Sequence, residues 1–224
     1  MKKELSWYTG CEAGNDILIV GAGGTLRTHY EQIQKFIEKI NPTIIGINKM
    51  TDFVLPHYHL WTNNQRLQDQ KDCIIPESHV MLGQYIRESV RKDVTDDYIE
   101  LRYVSAPWLK HSFRGGCLCG HFRNAGVLAI AVADVLNSGN GNIYVVGMDG
   151  FATHSEQDLK DGNESHHCYG KGFTDDATYE ECIKKDALIY DGLQSLDKAG
   201  IYFRIITPTG YNKFYADIMG ILEC

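Results

Sequence analysis

Ten residues, Ile17-Leu-Ile-Val-Gly-Ala-Gly-Gly-Thr-Leu26, constrain the fold more than any other stretch. Four consecutive apolar residues, Ile17 to Val20, read as a strand buried on both faces. Gly21, Gly23 and Gly24 then let the backbone turn sharply and approach a ligand closely, with Ala22 between them. From Leu26 the period changes, and Leu26, Tyr30, Ile33, Ile37 and Ile40 recur at helical spacing. Strand, glycine turn and helix together form a nucleotide-binding opening, because a helix N-terminus offers free N–H groups and a positive dipole end to phosphate. A plain packing turn is the alternative. The turn is not a dinucleotide motif, since Leu26 stands where G-x-G-x-x-G requires a small residue. The second strand, Thr43 to Asn48, ends in Asn48 rather than the ribose-binding carboxylate of NAD enzymes, and Asp52 follows only later. G-x-x-x-x-G-K-[ST] is also absent, so the turn is not a P-loop.

The chain has 224 residues, 43% of them hydrophobic, enough for one substantial core. A single domain over residues 1–224 is therefore expected, with no repeat and no low-complexity linker. A net charge of −7 argues against broad binding to nucleic acid or to an anionic membrane. No apolar run reaches the roughly 18–20 residues that span a bilayer. Met1-Lys-Lys-Glu-Leu-Ser-Trp7 leads into polar residues rather than a signal-peptide core, so a cytoplasmic location is expected. Peripheral membrane contact, a homo-oligomer or a place within a larger biosynthetic protein are all compatible with this composition. Seven cysteines without framework spacing read as free thiols. Cys117-Leu-Cys119-Gly-His121 has a spacing foreign to zinc sites, and no metal is expected there.

The remaining elements follow in order. Residues 1–16 are a short leader whose Trp7 and Tyr8 pack on the domain edge. Asn41-Pro42 stops the first helix. His57 to Thr62 is a third strand whose His57 and His59 share one face as packing or surface residues, and it ends at Asn63 and Asn64 on the ligand side of an open sheet. Cys73-Ile-Ile75 and His79 to Leu82 are candidate strands, and Tyr85 to Lys92 a short helix. Tyr98 to Val104 alternates like an edge or half-exposed strand. Glycine-rich, aromatic and basic, 107–123 is a candidate lid, with an ordered surface loop as the alternative. Asn124 caps a helix from Ala125 to Leu136, whose first turn, with Arg123 before it and Gly126 within it, is a second phosphate site. Ile143 to Gly147 is a central strand that brings Asp149 and Gly150 to the ligand crevice. Polar and histidine-rich, 151–176 is a second candidate lid. Thr174 or Asp175 then caps a long helix to about Lys198. Ile201 to Ile206 is the last strand, and Tyr211 to Leu222 a final helix. The expected fold is α/β: one Rossmann-like domain with a mostly parallel central sheet and helices on both faces.

With these pieces placed, the chain resembles the bacterial sialyltransferases of glycosyltransferase family 42. It is also similar to their wider superfamily, which includes β-Kdo transferases and archaeal 6-hydroxymethylpterin diphosphokinase. Four short stretches carry the resemblance. Gly21-Ala-Gly-Gly-Thr-Leu26 looks like the family's G-x-G-P-S-L opening, with Gly24 and Thr25 replacing Pro and Ser. Gly46-Ile-Asn48 looks like its second-strand end, where an asparagine contacts the nucleotide. Ala125-Gly126 with Ile143 to Gly150 looks like its S-G-V helix and I-Y-L-x-G-x-D strand. Ser165-His166 followed by Thr174-Asp175 looks like its S-H…T-D segment, with matching spacing.

The resemblance implies transfer of a 2-keto sugar acid, sialic acid-like or Kdo-like, from a CMP-activated donor to a glycan acceptor. His166 falls on the family's general base, and His167 is the neighbour that could serve instead. Gly21 to Gly24, Asn48, one of Asn63 and Asn64, and the Arg123 to Gly126 turn would hold the nucleotide. Asp149, Gly150, Thr174 and Asp175 would line the substrate site. The family's phosphate-holding tyrosines are replaced by Phe151 and non-aromatic residues, so Arg123, Tyr169 or Lys171 would take over that contact. With no D-x-D pair in the chain, a metal-independent reaction without a resident cofactor is expected. Two rivals are a Mg²⁺-dependent diphosphokinase of the pterin type and a non-catalytic nucleotide-binding module.

Overall fold

The computed structural model describes residues 1–153, 167 and 168, and 178–223. In chain order these form β1 (Lys2–Glu4), β2 (Ile17–Val20), α1 (Thr25–Thr28), α2 (Tyr30–Ile40), β3 (Thr43–Ile47), β4 (Tyr58–Trp61), α3 (Asn64–Asp69), β5 (His79–Gly83) and α4 (Glu88–Lys92). There follow β6 (Tyr98–Ser105), β7 (Ser112–Arg114), β8 (Cys117–Gly120), α5 (Ala125–Asn137), β9 (Ile143–Val146), α6 (Tyr179–Lys198), β10 (Phe203–Ile205) and α7 (Ile218–Glu223). The ten described strands make one open sheet in the order β10-β9-β2-β3-β4-β5-β6-β8-β7, with β1 also paired to β6. Every pairing is parallel except β7 with β8. The α/β, mostly parallel, Rossmann-like architecture expected from the strand–turn–helix opening is the one observed.

Alternation along β2 divides the core. Ile17 and Ile19 point into a cluster with α5 and α6, while Leu18 and Val20 meet Leu26, Ile33 and Phe36 on the other face. A third cluster joins Trp61, Val80 and Leu82 to Leu67 of α3 and Val90 of α4 on the sheet. Helix α5 is apolar nearly all round because the sheet covers one side and α6 the other. Between α5 and α6 the approach is close. A Cβ on Gly192 would lie 3.2 Å from Val127 Cγ1 of α5 and 2.6 Å from the carbonyl oxygen of His121, which precedes that helix.

Several expected boundaries move, each for a physical reason. The first helix breaks at His29, whose ψ of 21° ends α1 before α2 begins. Strand β6 is not an edge: β5 pairs with one side, and β1 and then β8 occupy the other. The segment 107–123 is built into the sheet rather than forming a lid. Gly115 and Gly116, both at positive φ, turn β7 back onto β8 in a two-residue hairpin, and Leu118 is fully buried. The other candidate lid, 151–176, lies largely outside the described residues. Cys73 belongs to a short 3₁₀ turn, so only His79–Gly83 forms the strand there, and the helix expected from Tyr85 starts at Glu88. The leader contributes β1 and the buried Leu5; Tyr8 packs against Tyr58 and His79, but Trp7 is exposed. Thr178, not Thr174 or Asp175, caps α6, in a reciprocal box with Glu181. The last helix is interrupted because the Ala216 N–H donates to the Ile205 carbonyl at 2.9 Å, drawing 215–216 along the edge of β10.

Gly192→Ala tests the helix contact. Overpacking α6 against the His121 carbonyl should lower stability by about 1–3 kcal/mol, read as a lower urea midpoint. An unchanged midpoint would mean that α6 is not seated at this distance.

Candidate nucleotide site at the strand reversal

Successive strands run from β2 to β6 in one direction across the sheet, whereas β9 returns to the opposite side of β2. The loops after β2 and β9 therefore diverge, and ligands of open α/β sheets bind at such a reversal. A cavity of about 270 Å³ opens there, at the C-terminal ends of β2, β3, β4 and β9.

Glycine is needed where the two loops meet. The Gly21 N–H donates to the Val146 carbonyl at 2.8 Å and the Gly23 N–H to the Gly147 carbonyl at 2.9 Å. A Cβ on Gly21 would lie 2.4 Å from the Gly147 oxygen, and Gly147 itself has a φ of +68°. Side chains fix the junction. The Asp149 carboxylate accepts from the Thr25 N–H at 2.9 Å and from the Thr25 hydroxyl. Fully buried Thr207, just past β10, accepts from the Gly147 N–H at 3.1 Å. From α6, Asp186 accepts from the N–H groups of Phe151 at 2.9 Å and Ala152 at 2.7 Å, and from the Tyr211 hydroxyl at 2.8 Å. Burial and the neighbouring Asp186 push the Tyr211 phenol well above its ordinary pKa, so it stays a donor.

Asn48 closes β3 in a left-handed conformation with φ 55°. Its backbone is held on both sides: its N–H donates to the Leu60 carbonyl at 3.2 Å, and its carbonyl meets His59 Nε2 at 2.8 Å. Asn48 is part of the cavity lining, and its Oδ1 is buried without a hydrogen-bond partner. A buried amide oxygen left so is costly unless something pairs with it. Asn63 Oδ1 caps α3 by accepting from the Arg66 N–H at 3.0 Å, which places Arg66 one turn into the helix and on the cavity wall. Asn124 Oδ1 caps α5 by accepting from the Val127 N–H at 2.8 Å, and Asn124, Ala125 and Gly126 present the start of that helix to the cavity.

Of the residues named from sequence, Gly21, Ala22, Gly23, Asn48, Asn63, Asn124, Ala125, Gly126, Asp149, Gly150 and His167 come together around the cavity. Three lie off its wall. Gly24 is the N-cap residue of α1. Asn64 is turned to the loop after β5, where it accepts from the Arg87 N–H at 2.6 Å and donates to the Tyr85 carbonyl at 3.2 Å. Arg123 is exposed beside the α5 cap. His166, Tyr169, Lys171, Thr174 and Asp175 lie outside the described residues. His167 forms an antiparallel bridge with Gly23, and the Cys168 N–H donates to the Ala22 carbonyl at 2.9 Å, so this segment returns onto the glycine turn. His167 Nε2 stands 3.4 Å from the Arg66 guanidinium.

Ile47, Thr62, Arg66, Val145, Gly147, Met148, Phe151 and Tyr211 complete the wall and were not named as site residues from sequence. Only Arg66 carried a usable signal, since an N-cap at Asn63 places residue 66 in the same turn. Among the described residues, no group of three or more His, Cys, Asp or Glu side chains could hold a metal ion, and no helix is long and apolar enough to cross a membrane. No protein-family model matches the chain, and no curated protein matches it.

His59, fully buried under Asn48, reports on this floor through pH. Burial pushes its pKa from an ordinary 6.5 down to about 4, against the opposing hydrogen bond to the Asn48 carbonyl. The unfolded chain binds a proton below pH 6.5 that the folded chain refuses. Stability from this residue is therefore complete above pH 6.5 and falls as pH drops toward 4, by about 3 kcal/mol in all. His59→Gln should flatten the difference between unfolding free energies measured at pH 6.5 and pH 4.5. An unchanged pH dependence would contradict a buried neutral imidazole.

Two substitutions probe the loop junction. Gly21→Ala should destabilise by about 1–3 kcal/mol through the clash with the Gly147 carbonyl, measured by chemical unfolding. Gly220→Ala, where no atom lies within 4 Å and φ is not positive, is the comparison, because it adds a methyl group with neither clash nor backbone strain. A Gly21→Ala loss no larger than that of Gly220→Ala would mean that the contact of the two loops contributes nothing.

Proposed function

We propose that the cavity binds the cytidine monophosphate part of a CMP-activated 2-keto sugar acid, and that the protein is a metal-independent, cytoplasmic glycosyltransferase of surface-glycan synthesis. The observation that carries the reading is Asn48. Asn48 lines the cavity and its amide oxygen is buried and unpartnered, at the end of the strand where the resembled family contacts the nucleotide. A base or ribose donor would satisfy that oxygen. The α5 N-terminus supplies a positive dipole end for phosphate, and Arg66 supplies a cation where the family's tyrosines are missing.

In the proposed reaction an acceptor hydroxyl oxygen bonds to the anomeric carbon of the donor as that carbon's bond to the CMP phosphate oxygen breaks. The hydroxyl proton passes to a histidine, and the electron pair of the broken bond leaves with CMP. His166 keeps the role implied by the resemblance. His167, on the cavity wall, is the second base candidate. Arg66 and the start of α5 would offset charge developing on the leaving phosphate. Asp149 would line the site while its carboxylate holds Thr25. A diphosphokinase would require carboxylates for Mg²⁺, and the Asp175-Asp176 pair that could supply them lies outside the described residues.

A thermal-shift series with CMP, CDP, CTP, ATP and GTP, each with and without Mg²⁺, tests the reading. CMP alone should raise the melting temperature, because a ligand at about 100 times its Kd stabilises by roughly 2.7 kcal/mol. Asn48→Ala and Arg66→Ala should each weaken CMP binding by about tenfold. Stabilisation only by ATP with Mg²⁺ would replace the transferase by the diphosphokinase. CMP binding without turnover of any CMP-sugar would leave a nucleotide-binding module, and no shift with any nucleotide would reject the site.

A further inference from the structure

A second concavity, about 590 Å³, lies on the α5–α6 side of the sheet and shares no lining residue with the nucleotide cavity. The segment between β6 and β7 forms one wall and the C-terminal half of α6 the other. Asp191, Gln194 and Lys198 stand at i, i+3 and i+7 on α6, so one helical face carries an acceptor, an amide and a donor. Opposite them, Trp108 lines the groove while 82% exposed. Its indole offers a broad apolar face beside the polar groups of α6.

The floor contains two histidines with unmet hydrogen bonds. His121 is 4% exposed, and its Nε2 is buried without a partner. His111 Nδ1 is buried and unpaired as well. Burial lowers the pKa of both imidazoles, with Arg123 adding to the effect at His121, while Asp134 and Asp191 oppose it. Neutral imidazoles each offer one donor and one acceptor.

This chemistry selects a ligand class. An apolar ligand would leave the two ring nitrogens unpaired. A cation would meet Lys110 and Lys198, and an anion would meet Asp191 and the carbonyl end of α6. A hydroxyl both donates and accepts, which suits a neutral imidazole, an amide and a carboxylate alike. A sugar ring also has an apolar C–H face that can lie on an indole. We propose that this groove, lined by Trp108, His111, His121, Asp191 and Gln194, is a binding site for a neutral saccharide. The inference does not rest on the nucleotide reading, since the groove is tested with no nucleotide present.

The probes are maltose, lactose and N,N′-diacetylchitobiose, with inorganic phosphate as the anionic comparison. In ¹H–¹⁵N spectra of the full chain, the three indole N–H peaks of Trp7, Trp61 and Trp108 can be told apart by single Trp→Phe substitutions. At least one of the sugars should shift the Trp108 peak in a saturable way, leave that of buried Trp61 unmoved, and bind in the millimolar range. Phosphate should move neither. Affinity read from saturation transfer to the sugar's own protons should fall by about fivefold in Trp108→Ala and similarly in His121→Gln. Trp108→Ala keeps the test decisive even if His121→Gln misfolds, because the exposed indole carries little of the fold. The proposal fails if none of the three sugars moves the Trp108 peak, if phosphate alone does, or if Trp108→Ala binds as tightly as the wild type.

Discussion

Two backbone segments touch at the strand reversal, and the site is arranged around that contact. Gly21 and Gly23 after β2 lie against Val146 and Gly147 after β9, through hydrogen bonds of 2.8 and 2.9 Å. Side chains there would force the loops apart and separate the ends of the two strands. Because the loops meet, Asp149 can reach Thr25, and Thr207 can accept from Gly147. Asp186 brings the α6 layer to the same point by holding Phe151, Ala152 and Tyr211. The cavity walls are thus fixed by backbone and by buried polar groups whose partners are named. Asn48, in the floor, keeps an oxygen unpaired. A concave site that keeps a buried polar group to be satisfied is where ligand binding is best sought.

The parts of this site legible in the sequence are those where local backbone chemistry decides. A buried apolar run ending in Gly-Ala-Gly-Gly can only turn, and Asn124 before an apolar helical run can only cap. Asn48 and Asp149 follow from their places at strand ends. What stayed hidden depends on long-range packing. Arg66 and Tyr211 are ordinary surface-type residues until the sheet order brings their elements to one end of β2. Asp186 sits mid-helix with no local mark of its contacts 34 and 35 residues away. Arg123 and Asn64 hold plausible positions in sequence but lie off the cavity wall, while Asn63, the other asparagine of the pair, lies on it.

Segment 107–123 has the same lesson at the level of fold. Its glycines, aromatics and basic residues suggest a lid when read by composition. Read by position, Gly115-Gly116 between Ser-Phe-Arg and Cys-Leu-Cys-Gly is a two-residue hairpin turn. β6 is the half-exposed strand that its alternation allows and not the edge: one end is open to solvent while its backbone is paired on both sides. Hydropathy records which face is covered and says nothing of which strand edge is free.

The central claim is that the cavity beside Asn48 is where a nucleotide binds. The most direct measurement is a ¹H–¹⁵N map of the full chain titrated with CMP in the absence of metal, following the Asn48 side-chain amide and the backbone peaks of Gly21, Gly23, Gly126 and Gly147. The account predicts saturable shifts concentrated at these five positions, with the Trp108 indole unmoved. Shifts centred on the Trp108 groove, or none at the Asn48 amide while CMP binds, would contradict it.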